Sequence, residues 1–327
     1  MELFRFCFGN GKEINMKKSM PYILIVIRAL IYGPSYLIVG KLLESTGVFD
    51  VLAMRFLLTA IFFLILKLTG IIHISFRGKN LRFLILTALC EPCGYFIFET
   101  FGVKGTTTVV TGLLLAMSPV VIIILETLFL KEKTTVLQKL CLLIRIMGGV
   151  VVVAFSTSSG KNTVWGIISL VLTMICNAGF CIASRKSSQE FTSFEITFFA
   201  SVFGAVMFNG INVGIHAVNG TLSTYFAPLF NSQNWIPLLY LSLIYSVIAT
   251  VMSNYCYAKI QASLAAALGG ISTIVTIVVG VLFNHETLYL YHVVGTVMIL
   301  GGALCMNLLP HDFRKKDHPS SGDCAME

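Results

Sequence analysis

Two carboxylates, Glu91 and Glu99, interrupt the otherwise oily stretch "CEPCGYFIFET" at residues 90–100. A charged side chain in the middle of a long apolar helix costs at least ~2.5 kcal/mol, so it must be paired, protonated or in touch with water. Two chemical roles follow for Glu91: it exchanges a proton, or it grips a cationic group such as an amine. The alternative is a buried Glu–Arg pair that fixes helix packing. Arg28 and Arg145 are the cations at matching depth, about 10 and 12 Å from the inner ends of their runs against roughly 15 Å for Glu91, at ~1.5 Å per residue. Glu99 lies about 12 Å beyond Glu91, where Arg55 is its expected partner in an interfacial pair that is structural or acts as an outer gate.

Around these charges stand polar groups suited to holding a small solute. "IYGPSY" puts Tyr32, Ser35 and Tyr36 beside Gly33 and Pro34, and a Pro in a helix leaves a carbonyl one turn earlier without its donor. Tyr95 follows Glu91 by one turn, and Asn177 and Gly179 in "ICNAGFC" sit at comparable depth. Tyr32, Tyr36, Tyr95 and Asn177 are therefore candidate substrate contacts. Paired irregularities in corresponding helices, here expected in the first and sixth, point to a binding site.

The elements that must carry these residues are membrane helices. The chain has 327 residues, 56% hydrophobic and 12% charged, against about 25% charged in soluble domains; its mean hydropathy is +0.87. Apolar runs near residues 21–40, 50–69, 81–101, 106–130, 137–155, 164–184, 194–214, 235–256, 262–283 and 288–309 are each long enough to cross a core of about 30 Å. The period-2 pattern of a membrane barrel is absent, so the expected class is all-α with ten spans. Segments 1–20 and 310–327 are polar ends.

The net charge of +8 follows the positive-inside rule rather than a nucleic-acid footprint. With the amino terminus inside, Arg77, Lys79, Arg82, Lys131, Lys133, Lys139, Arg185, Lys186, Lys259 and the basic tails are cytoplasmic, whereas the outer side holds Lys41, Lys104 and Lys161. Both termini then face the cytoplasm, in the plasma membrane. Of the nine cysteines, Cys90, Cys93, Cys141, Cys176, Cys181, Cys256 and Cys305 fall within spans, where they act as small apolar residues. "CEPC" lacks the second pair or histidine that a metal site needs; no metal, cofactor or catalytic centre is expected. Glu126, Glu132, Glu195 and Glu286 read as solvated interface charges.

A repeat organises the chain. A shift of 154 residues lays "TLFLKEKTT" on "VLFNHETLY", pairing Glu132 with Glu286, and lays Thr108, Gly112 and Ala116 on Ala262, Ala266 and Gly270. The same shift pairs Ser118 with Ser272, which adds both to the candidate contacts. Small residues every fourth position let a second backbone approach or leave room for a ligand. A unit of five spans crosses an odd number of times, so the second copy enters from the opposite side. The two repeats, 21–155 and 164–309, are inverted, the usual build of secondary transporters.

With "MRFLLTAIFFL", "TTTVVTGLLLAMSPVVIIILETLFLKEKTT" and "IQASLAAALGGISTIVTIVVGVLFNHETL" in the second, fourth and ninth spans, the chain resembles the ten-helix EamA-type exporters of the drug/metabolite transporter superfamily. That resemblance covers residues 21–309 and implies two five-helix repeats around a central cavity, with export of amino acids, related metabolites or drugs. The sequence departs from the pattern at Thr273, at "FNHE" and at Arg145. Exchange of anionic sugar phosphates or nucleotide-linked sugars is the alternative, with Arg28 and Arg145 neutralising the anion. No H-E-x-x-H, nucleophile–base cluster or nucleotide loop supports an enzyme or direct ATP drive; the expected partners are a small solute, protons and the lipid bilayer.

Overall fold

The computed structural model describes residues 16–129, 136–156, 162–260 and 268–308. Among these residues there are helices and turns and no strand. The helices are α1 (Met16–Ser45), α2 (Val48–Leu68), α3 (Arg82–Gly105), α4 (residues 108–129, in two pieces), α5 (Val136–Ser156), α6 (Val164–Ser187), α7 (Ser193–Val218), α8 (Ser232–Lys259), α9 (Ile271–Phe283) and α10 (Leu290–Leu308). Eight of them have at least 18 residues with the hydropathy of a membrane span, while Ile271–Phe283 and Leu290–Cys305 are shorter apolar helices. The all-α class agrees with the sequence; the tenfold count is not reached by length and composition alone. Lys131, Lys133, Lys161, Glu132, Ala262, Ala266 and residues 1–15 and 309–327 of the two ends lie outside the described residues, as does the side chain of Glu126.

Large apolar side chains such as Leu30, Ile65, Leu143 and Val297 point outward, as lipid contact requires. The interior is mixed. Tyr36, Phe56, Phe96 and Tyr245 form a core that also encloses Arg55, Glu99, Asn254 and Ser246.

Helix ends are closed by side chains, because a terminus leaves backbone N–H groups without partners. Thr163 Oγ1 accepts from Gly166 N at the start of α6. Thr192 and Glu195 cap each other reciprocally at α7. Glu195, expected in solvent, is buried; Lys79 Nζ contacts it at 2.9 Å and Ser75 N donates to it at 3.0 Å. Glu286 is likewise no free surface charge, since its two oxygens accept from Thr108 N and Val109 N at 2.8 Å each. It thereby ties the α9–α10 loop to the start of α4.

Two helices lose regularity at positions related by the 154-residue shift. In α3 a π-type segment spans Leu89–Gly94, with Glu91 extended at φ −142°, ψ 118° and Pro92 supplying no N–H. In α8 a π-type segment spans Tyr240–Ala249, where Ser246 and Thr250 hydroxyls donate to carbonyls five residues back. Breaks in α4 and before α9 correspond too. The pieces Thr108–Leu115 and Ser118–Phe129 separate ahead of Pro119, and α9 begins after Gly269–Gly270.

The pairing of irregularities expected in the first and sixth helices is therefore corrected: it occurs in the third and eighth and in the fourth and ninth. Helix α1 runs on through Pro34, its backbone oxygens at Ile31 and Gly33 taken by Tyr240 and Thr276 hydroxyls. Helix α6 is unbroken at Asn177–Gly179. Its small residues serve packing, because a Cβ on Gly179 would meet Cys90 Sγ at 2.8 Å. On α9, Val275 and Thr276 approach Gly33 and Gly112 so closely that a Cβ would stand 2.4 and 2.7 Å away.

Candidate transport site

The broken helices surround a cavity of about 60 Å³. Helix α1 contributes Arg28, Tyr32 and Tyr36; α3 contributes Glu91 and Tyr95; α6 contributes Asn177; α8 contributes Tyr245 and Tyr257. The breaks themselves supply Ser118 and Ser272. Their hydroxyls play matching parts, Ser118 donating to Leu115 O and Ser272 to Gly269 O, each at 2.7 Å. Each hydroxyl thus bonds a carbonyl three residues back at the break, Gly269 O accepting from Ser272 N as well.

Glu91 is 7% exposed and makes no hydrogen bond or ion pair with any described residue. The extended conformation at Glu91 takes its backbone out of the helical path, and the side chain enters the cavity wall. Arg28 acts on it through space as an attractive charge but forms no salt bridge with it. Instead the Arg28 guanidinium lies 4.5 Å from the centre of the Tyr32 ring and 5.8 Å from that of Tyr257, with Nε buried and unpartnered. Aromatic faces hold a cation without consuming its hydrogen-bond donors. The cavity thus presents one anionic and one cationic group, both with unused capacity, among five tyrosines.

A ladder of rings and guanidinium groups closes one wall. Tyr32 stacks on Tyr245 at 4.3 Å; Arg55 sits 4.4 Å from Tyr245 and 4.2 Å from Phe96. Arg55 Nε donates to Ser246 Oγ at 2.9 Å, its Nη2 has no partner, and the residue is 1% exposed. Glu99 is equally buried, with Oε2 unpartnered. The Arg55–Glu99 ion pair expected from spacing is not formed, and Glu99 is enclosed by protein. Arg55 is drawn aside by the two rings and Ser246.

Arg145 is also displaced from its expected place. It is fully buried, does not line the cavity, and donates through Nη2 to Ala116 O, with Nε and Nη1 unpartnered. Its stem packs against Gly302 of α10. The break in α4 frees the Ala116 carbonyl, and a guanidinium behind it is the group that answers. Arg145 braces α4 at Ala116 without itself lining the cavity.

The cavity therefore brings together Glu91, Arg28, Tyr32, Tyr36, Tyr95, Asn177, Ser118 and Ser272, and leaves Arg55, Glu99 and Arg145 outside its lining. Tyr245 and Tyr257 complete it without having been singled out as contacts from sequence. Tyr245 had one signal, its place opposite Glu91 in the repeat. Tyr257 had none.

A sequence model of the EamA-like transporter family matches residues 19–155 and again residues 164–308. The chain belongs to the EamA-like transporter family. Its tandem matches are the two repeats characteristic of that family, and it is a multi-pass membrane transporter rather than an enzyme. Two Bacillus subtilis proteins are similar along nearly their whole length. Uncharacterized transporter YcxC is 28% identical over 296 residues, 90% of this chain and 95% of the relative. Uncharacterized transporter YetK is 24% identical over 298 residues, 88% and 87% of the two chains. A chain known from a crystal structure superimposes with a TM-score of 0.59 at 15% identity, over 87% of this EamA-like protein and 99% of that chain, which shows a shared fold.

Proposed function

We propose that this EamA-like protein is a secondary transporter that exports a small amino acid, amine or drug-like metabolite by alternating access, with proton exchange at Glu91. The observation that carries the reading is Glu91 itself: a buried carboxylate with no described protein partner, at a helix break, on the wall of a cavity shared by both repeats. A carboxylate that is not committed to a protein cation is free to take a proton in one conformation and a substrate ammonium in the other.

The reading extends to topology. The repeats 21–155 and 164–309 are inverted, both termini lie in the cytoplasm, and the chain resides in the plasma membrane. Inverted halves exchange conformations and expose one site to either side in turn. The cavity volume supports such a cycle, because about 60 Å³ is far below the ~300–1,000 Å³ of sites that enclose a metabolite. The halves must part for substrate to enter, and the Tyr32–Tyr245 stack is the contact that parts.

A second reading rests on Arg28, whose side chain lines the same cavity and would neutralise a sugar phosphate or nucleotide-linked sugar. Arg145, bound to Ala116, lends it no support. Counterflow in proteoliposomes across amino acids, amines and sugar phosphates separates the two. Uptake of an amino acid or amine, competed by cationic compounds, is expected. Uptake of anionic sugars alone would overturn the leading reading.

A further inference from the structure

Glu91 borders two cavities. It is the one residue shared by the site described above and a second, much smaller space of about 10 Å³ on the side of Phe96 and Pro92. That volume is close to the ~10–15 Å³ that a single water needs, and the site also offers the two to four polar partners a buried water requires. Ser201, Ser246, Thr250 and Asn254 line it together with Glu91, and each of the four is at most 7% exposed.

The lining holds mostly acceptors and one spare donor, since Asn254 Nδ2 donates to Thr197 Oγ1 at 2.9 Å and keeps a second N–H. Ser201, Ser246 and Thr250 already donate their hydroxyl hydrogens to backbone carbonyls, at 2.7, 2.8 and 3.4 Å. Only the lone pairs of these three hydroxyls remain, so they accept from whatever fills the space. Beside it stands a group with the opposite need. Arg55 bonds Ser246 and packs on Phe96, both of which line the space, and its buried Nη2 lacks an acceptor. A water fits this lining: it donates to Glu91 and to a hydroxyl oxygen and accepts from the Asn254 amide.

We propose that this small cavity is a water site through which Glu91 gains and loses its proton without passing through the substrate cavity. In the loading step an O–H bond of a hydronium formed at the site breaks, an O–H bond to a Glu91 carboxylate oxygen forms, and neutral water is left behind. Unloading is the reverse, with the proton leaving on water. The substrate and the proton then reach the same carboxylate from opposite faces, so bound substrate does not block the proton's route. The inference rests on the reading of Glu91 as the coupling group.

The test is proton–deuterium exchange of the Glu91 carboxyl, followed by difference infrared spectroscopy on the purified full chain transferred to D₂O, with no substrate added. The Glu91 band is the protonated-carboxyl band lost in Glu91→Gln. Ser201→Val fills the small cavity and should slow exchange of that band at least tenfold, whereas Ser201→Ala, which leaves room for water, should exchange at the wild-type rate. If Ser201→Val does not fold, Ala200→Val fills the same space from its apolar side and carries the same expectation. Wild-type exchange in the filled variant would overturn the water site while leaving the coupling role of Glu91 standing. Absence of any band sensitive to Glu91→Gln would overturn the coupling reading itself, and this inference with it.

Discussion

The rings of Tyr32 and Tyr245 stack with centroids 4.3 Å apart and planes inclined by 14°, joining the first helix of one repeat to the eighth helix of the other. Stacked rings contribute about 0.5–1.5 kcal/mol beyond their area, and Arg55 against the outer face of Tyr245 adds a desolvated cation–π contact of about 2 kcal/mol. Tyr245→Leu should therefore lower unfolding free energy in mixed micelles by about 2–3 kcal/mol. Tyr245→Phe, which keeps the ring, should stay near wild type. Equal losses in the two variants would show that the phenol oxygen, not the ring, matters.

Arg55 and Glu99 lie buried without an ion pair, each with an unpartnered polar atom. Attraction through space still links them. A double-mutant cycle with Arg55→Met and Glu99→Gln should give a coupling of roughly 1 kcal/mol, within the ~0.5–3 kcal/mol range of residues that share a network. Strict additivity of the two single effects would contradict this.

Glu286 accepts from two backbone amides at the start of α4. Hydrogen bonds to a charged group contribute about 1.5–3 kcal/mol each when well formed, less here because Glu286 is partly exposed. Glu286→Ala should reduce stability by about 1–3 kcal/mol and speed proteolysis at the α9–α10 loop. A variant as resistant as wild type would remove the clasp from the account.

Arg28 and Arg145 look interchangeable in sequence, both being single cations in apolar runs. The structure separates them: Arg28 lines the cavity, and Arg145 holds Ala116 O. Arg145→Met should destabilise the fold by roughly 1.5–3 kcal/mol while leaving relative affinities across a substrate panel unchanged. Arg28→Gln should weaken substrate binding at least tenfold with little effect on stability. Altered substrate preference in Arg145→Met would restore it to the site.

Hydropathy made the helices and their order legible, because lipid allows few other ways to satisfy a backbone. The 154-residue shift located the equivalent positions correctly at Ser118 and Ser272, whose hydroxyls do the same job in each half. The cavity residues of α1 and α3 were legible as well, since polar groups in an apolar run have few other uses.

What was not legible depended on tertiary contacts. The π-type segment Tyr240–Ala249 contains neither Pro nor Gly, so nothing local announces it. Arg145 and Glu99 were misplaced because depth along a helix does not reveal which neighbour a side chain meets. Glu286 was taken for a solvated charge because capping by a residue from a distant loop leaves no short-range pattern, whereas Glu195 carried one, the T-x-x-E capping box that begins at Thr192.

The central claim is that Glu91 couples substrate movement to protons. It is tested most directly by pH-gradient-driven uptake of the substrate identified by counterflow, in proteoliposomes carrying wild type or Glu91→Gln at matched amounts of folded protein. The account predicts that an imposed gradient accumulates substrate in the wild type, and that Glu91→Gln shows no gradient-driven accumulation while remaining folded. Undiminished gradient-driven accumulation by Glu91→Gln would contradict it.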